Sequence, residues 1–164
     1  MPKYLVLLRH GHSPSAVEAG VESDELRPLS GRGRAAVELA AKKILSAGIR
    51  PDIIVASPLL RAIATAETAA AVFAAPVSEL AVLSGEYSCE NVWRELRKRM
   101  ENCSTVLAVG HQPGIGYLAG GFFGTGNFPF QPAGFATLRF EGELPERIAA
   151  GFAKEDFSLF DPNL

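Results

Sequence analysis

The sequence predicts an α/β fold, a three-layer α/β/α sandwich around a mostly parallel central sheet. Three observations carry that expectation. Residues 4–8, 53–56 and 105–109 are short apolar runs without polar alternation, the pattern of strands buried on both faces. Segments with apolar residues at helical spacing alternate with them, as βαβ units require. The composition, 48% hydrophobic and 21% charged over 164 residues, is that of a globular chain long enough to bury a full core in one domain spanning residues 1–164.

The first strand, residues 4–8, stops abruptly at Arg9-His10-Gly11. In open α/β sheets the carboxyl ends of strands form the ligand crevice, so this strand delivers a guanidinium fork and an imidazole to whatever binds there. As a bare tripeptide it is equally compatible with a capped sheet and a hydrogen-bonded core histidine. Residues 14–27 read as a polar loop, broken by Gly20 and loaded with Glu18, Glu22, Asp24 and Glu25. Ser30 is an N-cap candidate for a helix whose buried face carries Val37, Ala40, Ala41, Ile44 and Leu45, ending at Gly48. Arg27, Arg32 and Arg34 cluster at its start, where cations oppose the helix dipole. For Arg32 and Arg34 a solvated basic edge is the plainer reading.

Ile53–Ala56 forms the second strand, ended by Ser57-Pro58. From Leu59 onward Ile63, Ala66, Ala70 and Phe73 follow helical spacing on an Ala-rich, mostly buried helix. Arg61, in its first turn after a strand end, needs either an anion in the crevice or an internal carboxylate. Residues 77–83 are a third apolar stretch, and Ser84-Gly85-Glu86-Tyr87 a turn that could return Glu86 over the active edge or leave it a surface carboxylate. Residues 90–100 form an amphipathic helix with Val92, Trp93, Leu96 and Met100 inward. The fourth strand, 105–109, runs into Gly110-His111-Gln112-Pro113-Gly114, so a second strand ends in histidine. A short helix over 114–122 leads into a glycine-rich loop whose Phe122, Phe123, Phe128 and Phe130 suit either a substrate wall or ordinary packing. Residues 135–140 and 147–152 read as two closing strands around a turn at Glu141-Gly142-Glu143.

A net charge of -2 gives no general attraction to nucleic acid or an anionic membrane surface, so any anion site must be a local gathering of Arg and His. No run reaches transmembrane length and the start of the chain lacks a secretory pattern, which points to the cytoplasm. Cys89 and Cys103 lack metal-ligand spacing and suit a reduced compartment, with one disulfide left open. Neither opens a loop ending in a suitably spaced Arg, which excludes cysteine-based phosphatase chemistry. The element order βαβαβαβαββ thus brings Arg9, His10, Arg61 and His111 from three strand ends to one edge. Two guanidiniums and two imidazoles suit a tetrahedral dianion, because phosphoryl transfer asks a protein mainly to neutralise equatorial oxygens and align nucleophile with leaving group. Neither metal nor cofactor is required.

Arg9-His10-Gly11 resembles the signature of the histidine phosphatase superfamily. That family's second block, Ser-x-x-x-Arg-Ala-x-x-Thr-Ala, is matched by Ser57, Arg61, Ala62, Thr65 and Ala66, and its Gly-His-x-Pro block by Gly110, His111 and Pro113. Leu29-Ser30-Gly31-Arg32-Gly33 is similar to its Leu-Ser/Thr-x-x-Gly helix start. The short chain, Asp24 with Arg27-Pro28-Leu29, and Gly-His-Gln-Pro-Gly look most like the small SixA-like phosphohistidine phosphatases. The resemblance implies a phosphoglycerate mutase-like fold and a phosphatase that works through a covalent phosphohistidine. In it, His10 is the nucleophile. Arg9, Arg61 and a protonated His111 hold the phosphoryl oxygens, Ser13 helps bind phosphate, and Glu86 is the candidate general acid for esters. It implies no cofactor and a phosphorylated protein as substrate, with a small phosphoester as the alternative. His12 has no assigned role and the oligomeric state is open. Two competing readings are a metallohydrolase built on His10-x-His12 and His111, and a non-catalytic phosphate-binding regulatory module. The flanking arginines would repel a divalent cation, and retention of His10 argues against the second.

Overall fold

A computed structural model of the chain describes residues 1–84 and 88–155. Its strands are β1 (Lys3–Arg9), β2 (Ile53–Ala56), β3 (Val77–Glu79), β4 (Thr105–Gly110), β5 (Phe135–Phe140) and β6 (Lys154–Glu155), in the order β3-β2-β4-β1-β5-β6. β1, β2, β3 and β4 are parallel neighbours, while β5 runs antiparallel to β1 and β6 antiparallel to β5. The helices are α1 (Ala16–Ala19), α2 (Gly31–Ser46), α3 (Leu60–Phe73), α4 (Cys89–Asn102) and α5 (Gly114–Phe123), with 3₁₀ turns at Asp24–Leu26 and Ala81–Leu83.

Alternation along β1 builds the three layers. Leu5 and Leu7 join Trp93, Leu96, Leu118 and Phe122 of α4 and α5 in one core, while Val6 and Leu8 join Val37, Ala41, Ala62 and Ala66 of α2 and α3 in the other. The strand is apolar throughout because both faces are covered. The sandwich with its mostly parallel sheet is the expected fold. Trp93 closes the first core, edge-on to Phe122 and stacked near Phe140, with its indole N–H donating to the Pro145 carbonyl at 2.9 Å.

The parallel register sets the active edge: Arg9 lies opposite Gly110 and Ala56 opposite Val109, so β1, β2 and β4 end level with one another. The chain after β1 is clamped to α2. Ser30 caps that helix by accepting the Gly33 N–H at 3.0 Å, and its own N–H donates to the His12 carbonyl. A Cβ on Gly33 would come within 2.3 Å of that carbonyl oxygen, so only glycine permits the approach. Gly33→Ala is expected to destabilise the fold by about 2 kcal/mol, lowering Tm by about 4–8 °C in a thermal melt. An unchanged Tm would show that the loop after β1 yields freely.

One expectation is corrected and one open point is closed. Residues 147–152 are not a strand. Gly151 turns the chain at φ 84° and gives its N–H to the Phe122 carbonyl, and Ile148 N–H goes to Glu90, so these donors serve α5 and α4 and the sheet closes later, at β6. The open disulfide between Cys89 and Cys103 is also settled: both are free, at opposite ends of the 14-residue α4, about 20 Å apart by helix rise and far beyond bonding reach. Among the described residues no helix is long and apolar enough to cross a membrane.

Candidate active site

The level strand ends deliver their residues to one cleft of about 340 Å³, lined by Arg9, His10, Asp24, Arg27, Leu59, Arg61, His111 and Gln112. His10 follows β1 and is 8% exposed. Its Nδ1 lies 2.7 Å from the Gly11 carbonyl oxygen, an acceptor, so Nδ1 carries the proton and the Nε2 lone pair is free. This is the tautomer an attacking imidazole needs, and the partner that fixes it is a backbone carbonyl no residue pattern announces. Burial pushes the His10 pKa down to about 3, against the pull of the Gly11 carbonyl, with further lowering from His111, Arg61 and Arg9.

His111 follows β4, its ring centroid 5.1 Å from that of His10. Its Nε2 sits 2.8 Å from the hydroxyl of Ser57, a fully buried residue just after β2. That hydroxyl oxygen also accepts the Leu59 N–H at 3.3 Å. Nδ1 is buried and has no partner among the described residues. Burial first and Arg61 second push the pKa of His111 down to about 4, opposed by Asp24, so the free site holds it neutral. The free site thus does not hold the imidazolium that the resemblance implies.

Arg61, in the first turn of α3, is 7% exposed. Its terminal nitrogens donate to Asp24, one to the carbonyl at 2.9 Å and one to Oδ2 at 3.0 Å, while Nε is buried without a partner. Of the two readings of Arg61, the fold realises the internal carboxylate, and Nε has no partner among the described residues. Arg9 is held likewise: it donates to the Phe130 carbonyl at 2.9 Å and keeps Nε unpaired. Burial lowers its pKa from the ordinary arginine value, and a guanidinium is a cation at neutral pH. Thr65 ties the elements together, accepting the Gly11 N–H at 3.1 Å and donating to the Arg61 carbonyl at 2.8 Å.

The cleft therefore gathers Arg9, His10, Arg61 and His111 as expected. It does not gather every candidate. The Ser13 hydroxyl donates to the Pro28 carbonyl at 2.6 Å, and the residue lies behind Arg27, which donates to its carbonyl. His12 Nδ1 meets the Ser30 hydroxyl at 2.7 Å, at the cap of α2. Arg34 donates to Thr68. Glu86 lies outside the described residues. Phe130 serves the site through its backbone while its ring is 2% exposed in the core. Arg27, whose place among the cations at the start of α2 hinted at anion contact, lines the cleft, and so do Asp24, Leu59 and Gln112, which residue pattern had not placed there. The one available signal was the Asp24-x-x-Arg27 spacing, which the fold uses as an ion pair of 2.9 Å. No three of the described His, Cys, Asp and Glu residues gather as metal ligands.

Three nitrogens of cleft residues, Arg9 Nε, Arg61 Nε and His111 Nδ1, are thus buried without a hydrogen-bond partner among the described residues. A buried donor without a partner costs about 1–3 kcal/mol, a cost that a bound oxyanion removes. The two lowered imidazole pKa values mean that both rings stay neutral well below the ordinary 6.5. Their NMR resonances are expected to hold neutral positions from pH 8 to about pH 5, and tungstate should move those of His111 toward the protonated form. Titration of either ring near 6.5 in the free protein would contradict the burial argument.

Residues 5–85 match the family model described as histidine phosphatase superfamily (branch 1). An uncharacterized protein of Picosynechococcus sp. is 32% identical over 115 residues, 68% of either chain. Among solved structures, the protein histidine phosphatase SixA complexed with tungstate superposes with a TM-score of 0.82 at 22% identity, covering 98% of this chain and 97% of that one. A putative phosphohistidine phosphatase SixA from Nakamurella multipartitia gives 0.77 at 24% identity over 99% and 97%. With its ordered blocks, its sheet and its cleft accounted for, the chain belongs to the histidine phosphatase superfamily, as a phosphatase with the fold of SixA-like members.

Proposed function

We propose that this phosphatase removes phosphate from protein phosphohistidine through a covalent intermediate on His10. The observation that carries the reading is the gathering of Arg9, Arg61 and His111 in one cleft with His10, whose Nδ1 is bonded to the Gly11 carbonyl so that Nε2 is left to attack. Three donors answer the three equatorial oxygens of a phosphoryl group in flight.

His10 Nε2 attacks phosphorus while the substrate's N–P bond breaks and its electron pair returns to the departing imidazole. Water then attacks the phosphoryl group on His10, releasing phosphate and restoring the neutral ring. The proton on Nδ1 stays with the Gly11 carbonyl throughout, so His10 needs no separate base. An imidazole leaves as a neutral molecule when its far nitrogen is protonated, so this substrate places no demand on a general acid such as Glu86. A macromolecular substrate also suits the rim: Leu26 and Leu60, chain neighbours of Arg27 and Arg61, are 51% and 44% exposed. The name of the SixA structure, a protein histidine phosphatase holding a tetrahedral oxyanion, supports the same reading.

The test is a rapid-quench experiment: the protein is mixed with a phosphohistidine peptide in excess chelator, quenched in alkali and mapped by mass spectrometry. Phosphate on His10, with peptide turnover exceeding that of phosphoserine peptide and p-nitrophenyl phosphate, is the expected result. Turnover of esters alone would replace the substrate, and no adduct and no turnover in folded protein would favour a binding module.

A further inference from the structure

The cleft assigned to a dianion also holds a carboxylate. Asp24 is the one acidic residue among the described residues that line it, and its side chain is 61% exposed where His10 is 8% exposed. A negative charge beside a phosphoryl dianion weakens binding, so it needs a compensating role. Orienting Arg61 does not by itself explain it. The Arg9 guanidinium in the same cleft is held by a neutral carbonyl, that of Phe130, and Asp24 already gives Arg61 its own backbone carbonyl. The charge on the side chain calls for a further reason.

The direction of the reaction supplies one. In-line displacement sets the leaving group opposite the nucleophile. His10 forms the buried floor, so the leaving group faces the mouth, where the Asp24 carboxylate is exposed. Oδ1 accepts one N–H from Arg27 and Oδ2 one from Arg61, and lone pairs on both oxygens remain for a further donor.

Resting on the phosphohistidine reading above, we propose that Asp24 determines leaving-group specificity. It accepts a hydrogen bond from the far ring N–H of the substrate's phosphorylated imidazole and disfavours phosphoesters whose leaving groups carry negative charge. As the His10 N–P bond forms and the substrate N–P bond breaks, the electron pair returns to the ring nitrogen that bore phosphorus. The far nitrogen keeps its proton against Asp24, and the imidazole departs neutral. An alkoxide would need a proton that Asp24 does not offer, because Arg27 first and Arg61 second hold its carboxyl below the usual carboxylate range against its slight burial.

The experiment compares kcat/KM of wild type, Asp24→Asn and Asp24→Glu on a phosphohistidine peptide, a phosphoserine peptide and 3-phosphoglycerate, with thermal melts to confirm folding. Loss of one charge-assisted hydrogen bond predicts that Asp24→Asn lowers the phosphohistidine-to-phosphoserine ratio by about ten- to hundredfold. It should also raise relative activity on 3-phosphoglycerate, while Asp24→Glu recovers part of the ratio. An equal loss on all three substrates would overturn the proposal and reduce Asp24 to positioning Arg61. Wild type that turns over both esters and not the phosphohistidine peptide would instead sink the substrate reading, and this proposal with it.

Discussion

His10→Ala is expected to lower kcat by at least about 10³-fold on every phosphorylated substrate and to leave no phosphate trapped on the protein, because loss of a covalent nucleophile removes the reaction path itself. Nothing else described in the cleft can substitute. The His111 ring is 5.1 Å away by centroid and spends Nε2 on Ser57. Asp24 spends its carboxylate on two guanidiniums. The fold should survive, since His10 is neutral and its one hydrogen bond is to the neighbouring Gly11 carbonyl. Steady-state kinetics beside the alkali-quench trap measure the effect. A variant that still accumulates phosphate on another residue would show that the nucleophile is misassigned.

Arg61→Ala should be next in size, a loss of about 10²–10³-fold in kcat/KM, the range measured when one preorganised donor to a developing oxyanion is removed. Arg61 lines the cleft and anchors the 3₁₀ turn at Asp24–Leu26 through two bonds. Arg61→Lys keeps the charge but cannot bond Asp24 twice and still point a donor inward, so it should recover only a small part of the loss. Both effects should fall on kcat as well as KM, because the donor meets charge that grows in the transition state. A pure KM effect would place Arg61 in ground-state binding.

How far the site was legible follows from what each residue contributes. Arg9 ends β1, and His10, Arg61 and His111 each follow a strand end within a few residues; in a parallel sheet strand ends converge. Chain position and residue type were therefore enough. Ser57 and Thr65 could be recognised as members of a family block, but their bonds to His111 and Gly11 depend on side-chain directions that only the packed α3 and β4 define. Ser13 shows the reverse. Its place just after Arg9-His10-Gly11 suggested phosphate contact, yet the loop turns its hydroxyl to Pro28. The strand expected at 147–152 missed for a related reason: an apolar stretch after a turn is also what a segment needs to cover α5, and the Gly151 N–H is spent there.

By itself the sequence determined the alternation of buried strands and covering helices, the edge at which the functional side chains meet, and the chemistry of those side chains, because periodicity and strand-end position are properties of the chain. Only the tertiary structure decided the proton on His10 Nδ1, the unpartnered nitrogens of Arg9, Arg61 and His111, and the Arg27–Asp24–Arg61 bridge in the cleft. Those depend on which backbone carbonyl or distant side chain comes within 3 Å of a given nitrogen. Contacts of that kind, across 37 residues for Asp24 and Arg61 and 54 for Ser57 and His111, arise from packing of separate elements and leave no local pattern to read.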